Sequence, residues 1–439
     1  MFIIRFISQK EVQAIPVLFK TLVVFGLVLF LSRFRVKLSL GLLLGALVLG
    51  FWMGMTPLEW LEAALLSVTH LQALSLFFVV GLLMVMSRIM EGAGQMHRLV
   101  ATLTCLTRDP RTVASVMAAM VGLLPMPGGA LFSAPLVEAS LSSPRVSAEQ
   151  KALVNYWFRH IWEYWWPLYP GAVLAVALLK VQTWPYIVFM SPLTVVTALV
   201  GVIFILRPIG KLSSSGEESR SWSTLKDFLW EMMPIVVVIL VIGLIGAFEA
   251  LLGSLGIRMK IPGAVSILPG IIAAIVWVCW VNKVPPIRIR SAFLDRGVMP
   301  MLLLVLAIIV FQGTLTESKA VFKMRDELTA YQVPLLAVFT IIPLLSGLLT
   351  GIAVGFVGLS FPLVVPMFPA GTLFEYMSCA ALAYTFGYMG MMLSPVHLCF
   401  LVTKDFYKAN LLKCYHQVLW PALAVMAAVL LLFVTLRAF

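Results

Sequence analysis

At 439 residues, 62% of them hydrophobic and only 11% charged, with a mean hydropathy of +1.04, the chain is too apolar for a water-soluble globule, whose apolar share is nearer half. The formal net charge of +12 would suggest nucleic acid in a soluble protein, but Lys and Arg retained in cytoplasmic loops account for it here, and no nucleic-acid partner is expected. The five cysteines are scattered and form no C-x-x-C pair, so neither a disulfide framework nor a zinc site is indicated, and no metal or cofactor is expected.

Arg5 and Lys10 precede the first apolar run, with no small-residue cleavage signal after it, so that run reads as a retained span. Runs long enough to cross, about 20 residues for a hydrocarbon core of roughly 30 Å, lie near 16–32, 38–55, 71–90, 185–206, 230–251, 262–282, 298–316 and 415–437. Apolar segments 112–137 and 333–366 are split by Pro and Gly and read as re-entrant hairpins. Longer interrupted runs, 148–180 and 372–402, read as broken helices. The polar stretch 207–229 reads as a cytoplasmic linker between an N-terminal unit, 1–206, and a C-terminal unit, 230–439.

Positive charge orients this arrangement. With both hairpins non-crossing and the N-terminus outside, about 20 Lys and Arg fall in cytoplasmic loops and about 10 outside, which favours N-out and C-out. Arg5, Lys10 and Lys20 oppose that placement of the first span.

The two units echo each other. Gly122-Leu-Leu, closing on Ala-Pro135-Leu-Val, recurs as Gly347-Leu-Leu, closing on Phe-Pro362-Leu-Val; Tyr156, Phe158 and Pro167 recur at the same spacing as Tyr384, Phe386 and Pro395. Two copies of a unit with five crossings and a hairpin must be inverted, because an odd number of crossings reverses the chain. The expected fold is therefore an all-α polytopic membrane protein of two inverted repeats, the architecture of many secondary transporters.

Residues 155–171 gather Asn155, Arg159, His160 and Glu163 among Trp157, Trp162, Trp165 and Trp166. A charged residue at the centre of a membrane helix costs roughly 2.5–3.5 kcal/mol on insertion scales, so such residues face protein or water and mark a pathway or a partner. Asn155, Arg159 and Glu163 stand at i, i+4 spacing, on one stripe of a helix, and Pro167 and Pro170 then interrupt it. The tryptophans read as an interfacial belt or as packing against the hairpin.

Leu-Pro-Met-Pro-Gly-Gly-Ala-Leu-Phe-Ser-Ala-Pro at 124–135, the Trp-rich stretch at 155–171, and Gly-Tyr-Met-Gly-Met-Met-Leu-Ser-Pro-Val-His-Leu-Cys at 387–399 resemble the integral-membrane family filed as domain of unknown function 401. That family is grouped with the ion transporter superfamily, alongside gluconate, citrate, dicarboxylate and arsenite carriers. The resemblance implies two inverted repeats whose hairpin tips meet broken helices at a substrate site, often in a dimer with an elevator-like movement. The Ser-Asn-Thr hairpin-tip signature of sodium-coupled dicarboxylate carriers is replaced by Pro127-Gly128-Gly129 and Thr350-Gly351, so neither sodium coupling nor dicarboxylate specificity is implied.

In the first hairpin, Pro127, Gly128 and Gly129 leave backbone N–H groups open and Ser133 adds a hydroxyl, a setting that favours anions; alternatively they form a plain turn between short buried helices. Ser346, Thr350, Gly351 and Gly355 offer the same in the second hairpin, or serve close helix packing. Arg159 is a two-bond counter-ion for a carboxylate or the partner of Glu163 in a structural or gating pair. His160 and His397 carry protons or act as fixed hydrogen-bonding groups. Glu163 is the better proton-carrying candidate, since desolvation disfavours a bare carboxylate. Ser394 and nearby carbonyls stand at the second helix break, while Glu138 and Glu375 read as loop-end caps.

The expected function is secondary active transport of a small, anionic organic solute, with protons favoured over sodium as the coupling ion. An inorganic-ion carrier and a transport-inactive scaffold are the alternatives. No metalloprotease or serine-hydrolase motif supports an enzyme. The expected partners are the anion, the coupling ion, the bilayer and a second copy in a homodimer; the expected setting is a prokaryotic cytoplasmic membrane.

Overall fold

The computed structural model describes residues 15–34, 36–95, 98, 109–123, 129–210, 212, 222–257 and 261–438. The Pro127-Gly128 part of the first hairpin tip and residues 211 and 213–221 of the expected linker lie outside these residues. Among the described residues, helix is the only regular secondary structure.

The first half runs α1 (Val17–Arg33), α2 (Leu38–Trp52), α3 (Pro57–Thr69), α4 (Leu71–Gly92), α5 (Pro110–Gly122), α6 (Ala130–Ser140), α7 (Ala148–Arg159), α8 (Pro170–Leu179) and α9 (Thr183–Gly201), which is prolonged by irregular helix to Ile209. After α10 (Trp222–Glu231), the second half runs α11 (Met233–Ser254), α12 (Gly263–Val281), α13 (Pro286–Phe293), α14 (Val298–Glu317), α15 (Ala320–Ala330), α16 (Leu335–Thr350), α17 (Ala353–Val364), α18 (Leu373–Met392), α19 (Leu398–Tyr407) and α20 (Leu411–Ala438). Among the described residues both halves run two helices, a short helix, a long helix, a hairpin, a broken helix and a final long helix, with α15 standing before the hairpin in the second half.

Six helices among the described residues, α4, α9 with its extension, α11, α12, α14 and α20, are long and apolar enough to cross a membrane. Helices α1 and α2, expected as spans, have only 17 and 15 residues. At 1.5 Å per residue they reach roughly 23–26 Å, at or below the lower limit for crossing. The first turn of α1 is tied down from elsewhere: the Glu327 carboxylate on α15 accepts the amides of Val17 and Leu18, both at 2.7 Å.

Side-chain caps are few among the described helices. Capping boxes open α3 (Thr56 with Glu59), α7 (Ser147 with Gln150) and α18 (Thr372 with Glu375), each satisfying two otherwise orphan amides. By contrast α6, α8, α17 and α19 begin without a side-chain cap. They are the second halves of the two hairpins and the two broken helices.

Each hairpin lies on the broken helix that follows it, α5 on α7 and α16 on α18. The closest approach uses a glycine in both cases: a Cβ on Gly122 would collide with the carbonyl oxygen of Arg159, and one on Gly347 with that of Gly387. These pairs occupy equivalent places in the sequence echo. Across the halves, α6 packs on α19 and α8 on α17, so each hairpin also receives the far half of the other broken helix. Gly122→Ala and Gly347→Ala should each destabilise the protein by about 1–3 kcal/mol through overpacking. Gly243→Ala, on α11 with open space around it, should be neutral or gain up to about 1 kcal/mol; chemical unfolding in detergent compares the three.

Candidate functional site

Helix α7 stops because a side chain takes the place of the main chain. The His160 ring donates from Nδ1 to the Tyr156 carbonyl at 2.6 Å, while the His160 amide turns to Trp157 O at 3.2 Å. Residues 160–169 then run as turns before Pro170 opens α8. Glu163 therefore lies beyond the helix, not on the i, i+4 stripe that its spacing predicts.

Unwound backbone in an apolar interior needs donors for its carbonyls, and aromatic and hydroxyl side chains supply them. Tyr388 donates to His160 O, Thr194 to Ile161 O at 2.7 Å, Tyr384 to Glu163 O at 2.7 Å and Tyr186 to Tyr164 O at 2.7 Å. The last carbonyls of α5 are met in the same way, by the Trp162 indole at Ala119 O and the Trp166 indole at Leu123 O, both at 2.8 Å, and by the Tyr169 hydroxyl at Gly122 O. Two of the tryptophans thus serve the hairpin. Trp157 and Trp165 bind α9 instead, through Thr197 O and Thr194 Oγ1.

Arg159 ends α7 at 3% exposure. Its guanidinium lies against Gly129, where a Cβ would collide with it. Its Nη1 is 3.4 Å from Cys399 Sγ, to which it donates, and 3.4 Å from His160 Nε2. Glu163 Oε1 is 3.8 Å from the same His160 nitrogen. One turn back, Asn155 donates to Ala130 O at 3.2 Å and to Thr403 Oγ1 at 3.3 Å, while its buried Oδ1 has no hydrogen-bond partner among the described residues. Asn155 therefore joins the first hairpin to α19 and keeps one acceptor spare.

In the second half, α18 ends at Met392 and the chain turns through Leu393–His397 into α19. Tyr156 donates to Met392 O at 2.8 Å, the counterpart of Tyr384 donating to Glu163 O. Gly351 has φ +65, and a Cβ there would stand 2.9 Å from Ser394 Oγ and 3.0 Å from His397 N; only glycine fits both the left-handed backbone and the contact. The second hairpin tip thus touches the second break directly. His397 links this group to the first, with its ring centroid 5.1 Å from that of His160.

The predicted residues accordingly fall into sets. Gly129, Asn155, Arg159, His160, Glu163 and His397 converge, and Gly351 and Ser394 adjoin them. Pro127 and Gly128 lie outside the described residues. The hydroxyls of Ser133, Ser346 and Thr350 are turned to carbonyls of their own helices, and Gly355 packs on Thr350 and Ile352. Glu375 caps α18, as its place after the hairpin predicts, whereas Glu138 pairs with Lys151 at 2.7 Å. Cys399, Tyr384 and Tyr388 are participants that sequence reasoning did not assign to the site. The signal for Cys399 is its place two residues after His397 and beyond Ser394-Pro395. Tyr384→Phe and Tyr388→Phe should each cost about 1–3 kcal/mol by orphaning a buried carbonyl, while Tyr331→Phe, at 57% exposure, should stay within about 0.5 kcal/mol. Denaturant unfolding in micelles measures the difference.

The chain belongs to the family described as "Protein of unknown function (DUF401)", whose model matches residues 15–436. No curated protein matches it. Its fold is similar to that of Neisseria gonorrhoeae MtrF, described with a class of antimetabolite efflux pumps, at TM-score 0.56 and 15% identity over 86% of this chain and 83% of that one. It is also similar to the Alcanivorax borkumensis YdaH transporter, described as having an unusual topology, at TM-score 0.53 and 14% identity over 81% and 83%. The fold is that of a multi-pass membrane protein.

Proposed function

We propose that the protein is a secondary active transporter of a small organic anion, coupled to protons rather than sodium. The observation that carries this reading is Arg159, a buried guanidinium at the point where α7 unwinds, held between the first hairpin at Gly129 and the second broken helix at Cys399. Transporters of inverted-repeat architecture place substrate where half-helices meet, with positive helix ends and fixed charge facing an anion. The uncapped starts of α6, α8, α17 and α19 and the spare Asn155 acceptor suit an anion that also carries a hydroxyl or amino donor. The likeness to two proteins described as transporters supports transport over catalysis, although the efflux described for MtrF sets no direction here.

Within this reading the two element sets are inverted repeats of the ion transporter superfamily. His160, Glu163 and His397 form the gate between the breaks, and the protein works as a homodimer in a prokaryotic cytoplasmic membrane. The loss of the Ser-Asn-Thr tip signature at both hairpins supports protons over sodium. Proteoliposomes should accumulate a gluconate-like hydroxy acid under an inward proton gradient and not under a sodium gradient; uptake indifferent to both gradients defeats the coupling. Arg159→Lys should lower uptake about tenfold or more, since a lysine cannot hold a carboxylate through two bonds. Undiminished uptake by that variant removes Arg159 from the substrate site.

A further inference from the structure

The breaks of the two halves bring together His160, His397 and Cys399, each presenting one ligand atom, all within 4.8 Å of one another. Both imidazoles are held from behind. His160 Nδ1 is 2.6 Å from Tyr156 O and His397 Nδ1 is 3.1 Å from Met391 O. The Tyr156 carbonyl only accepts, so His160 Nδ1 carries the proton and its Nε2 the lone pair. His397 Nδ1 also lies 3.2 Å from the Tyr156 hydroxyl, whose own proton goes to Met392 O, so the Met391 carbonyl and that hydroxyl favour the same tautomer there. A main-chain carbonyl on the remote nitrogen is the outer support that orients metal-bound histidines and raises their basicity. Two imidazoles and a thiolate suit zinc and its borderline-to-soft relatives, not magnesium or calcium, which require oxygen.

Tetrahedral zinc, with bonds of about 2.0–2.1 Å to nitrogen and about 2.3 Å to sulfur, sets its ligand atoms roughly 3.3–3.6 Å apart. The present spacing lies within side-chain adjustment of that geometry. The Glu163 carboxylate is 3.8 Å from His160 Nε2. One cation already addresses the same acceptors: Arg159 Nη1 is 3.4 Å from both His160 Nε2 and Cys399 Sγ. A metal ion and the guanidinium cannot both occupy that gap.

We propose that His160, His397 and Cys399 form a site for a borderline-to-soft divalent metal ion such as zinc, bound in competition with the Arg159 guanidinium. The inference stands on the ligand geometry and does not depend on transport. The test uses cobalt(II) as the probe, titrated into purified, chelator-treated protein in detergent, because thiolate ligation gives cobalt a near-ultraviolet charge-transfer band.

Wild-type protein should bind one cobalt with that band, and zinc should abolish it by displacement. Cys399→Ser should lack the band, and His160→Gln and His397→Gln should weaken binding by about tenfold or more. Arg159→Gln should bind cobalt more tightly, the reverse of what a merely damaged site would do. A wild-type titration without the band, or a band that survives in monodisperse Cys399→Ser protein, overturns the site. Unchanged or weaker binding by monodisperse Arg159→Gln overturns the competition. Because wild type and the band itself decide the first question, a variant that fails to fold leaves the proposal testable, and a negative result here leaves anion uptake unaffected.

Discussion

A helix that stops inside a hydrocarbon slab leaves carbonyls that water cannot reach, each costing several kcal/mol if unmet. The rest of this structure depends on how that constraint is satisfied. Hydrogen bonds tie the interrupted stretch in three directions: its own indoles and a phenol donate to the end of α5, hydroxyls of α9 donate to Ile161 and Tyr164, and phenols of α18 donate to His160 and Glu163. These contacts hold Arg159 and the histidines in place, because the residues that donate and those that carry charge alternate along one short stretch. The Trp-rich segment therefore packs against the hairpin, through Trp162 and Trp166, and against α9, through Trp157 and Trp165. It is the hydrogen-bonding material of an interrupted helix.

The same logic accounts for the exchange between halves. Tyr156 and Tyr384, matched in the sequence echo, each reach the other half's break, at Met392 O and Glu163 O. A phenol is long enough to span two packed helices and gives up no charge to do so. Glycines at the matched positions 122 and 347 let the hairpins sit directly on the carbonyls of the broken helices. Recurrence of sequence here reflects recurrence of contact.

Much of this was legible beforehand, and what was not has physical causes. Long apolar runs locate α4, α9, α11, α12, α14 and α20 because burial in lipid demands them. The interruptions were visible through Pro and Gly, but Pro167 suggests a later break than the one found. Unwinding begins at His160, where an imidazole captures Tyr156 O, and side-chain competition of that kind leaves no periodic trace. Helix α3 does not read as a span because Glu59 and Glu62 make it too polar, although Thr56, Pro57 and Glu59 form a readable capping box. The meeting of Cys399 with Arg159 depends on two distant breaks crossing, which no local pattern encodes.

The phenols that satisfy His160 O and Glu163 O lie 228 and 221 residues downstream. At synthesis rates of roughly 5–20 residues per second, the first break waits about 10–45 s for its partners. During that interval its carbonyls must be met by water or by the insertion machinery, so the nascent first half cannot yet be sealed from solvent. Assembly of the interior is thereby tied to translation of the second half, and the protein's biogenesis is as interleaved as its contacts.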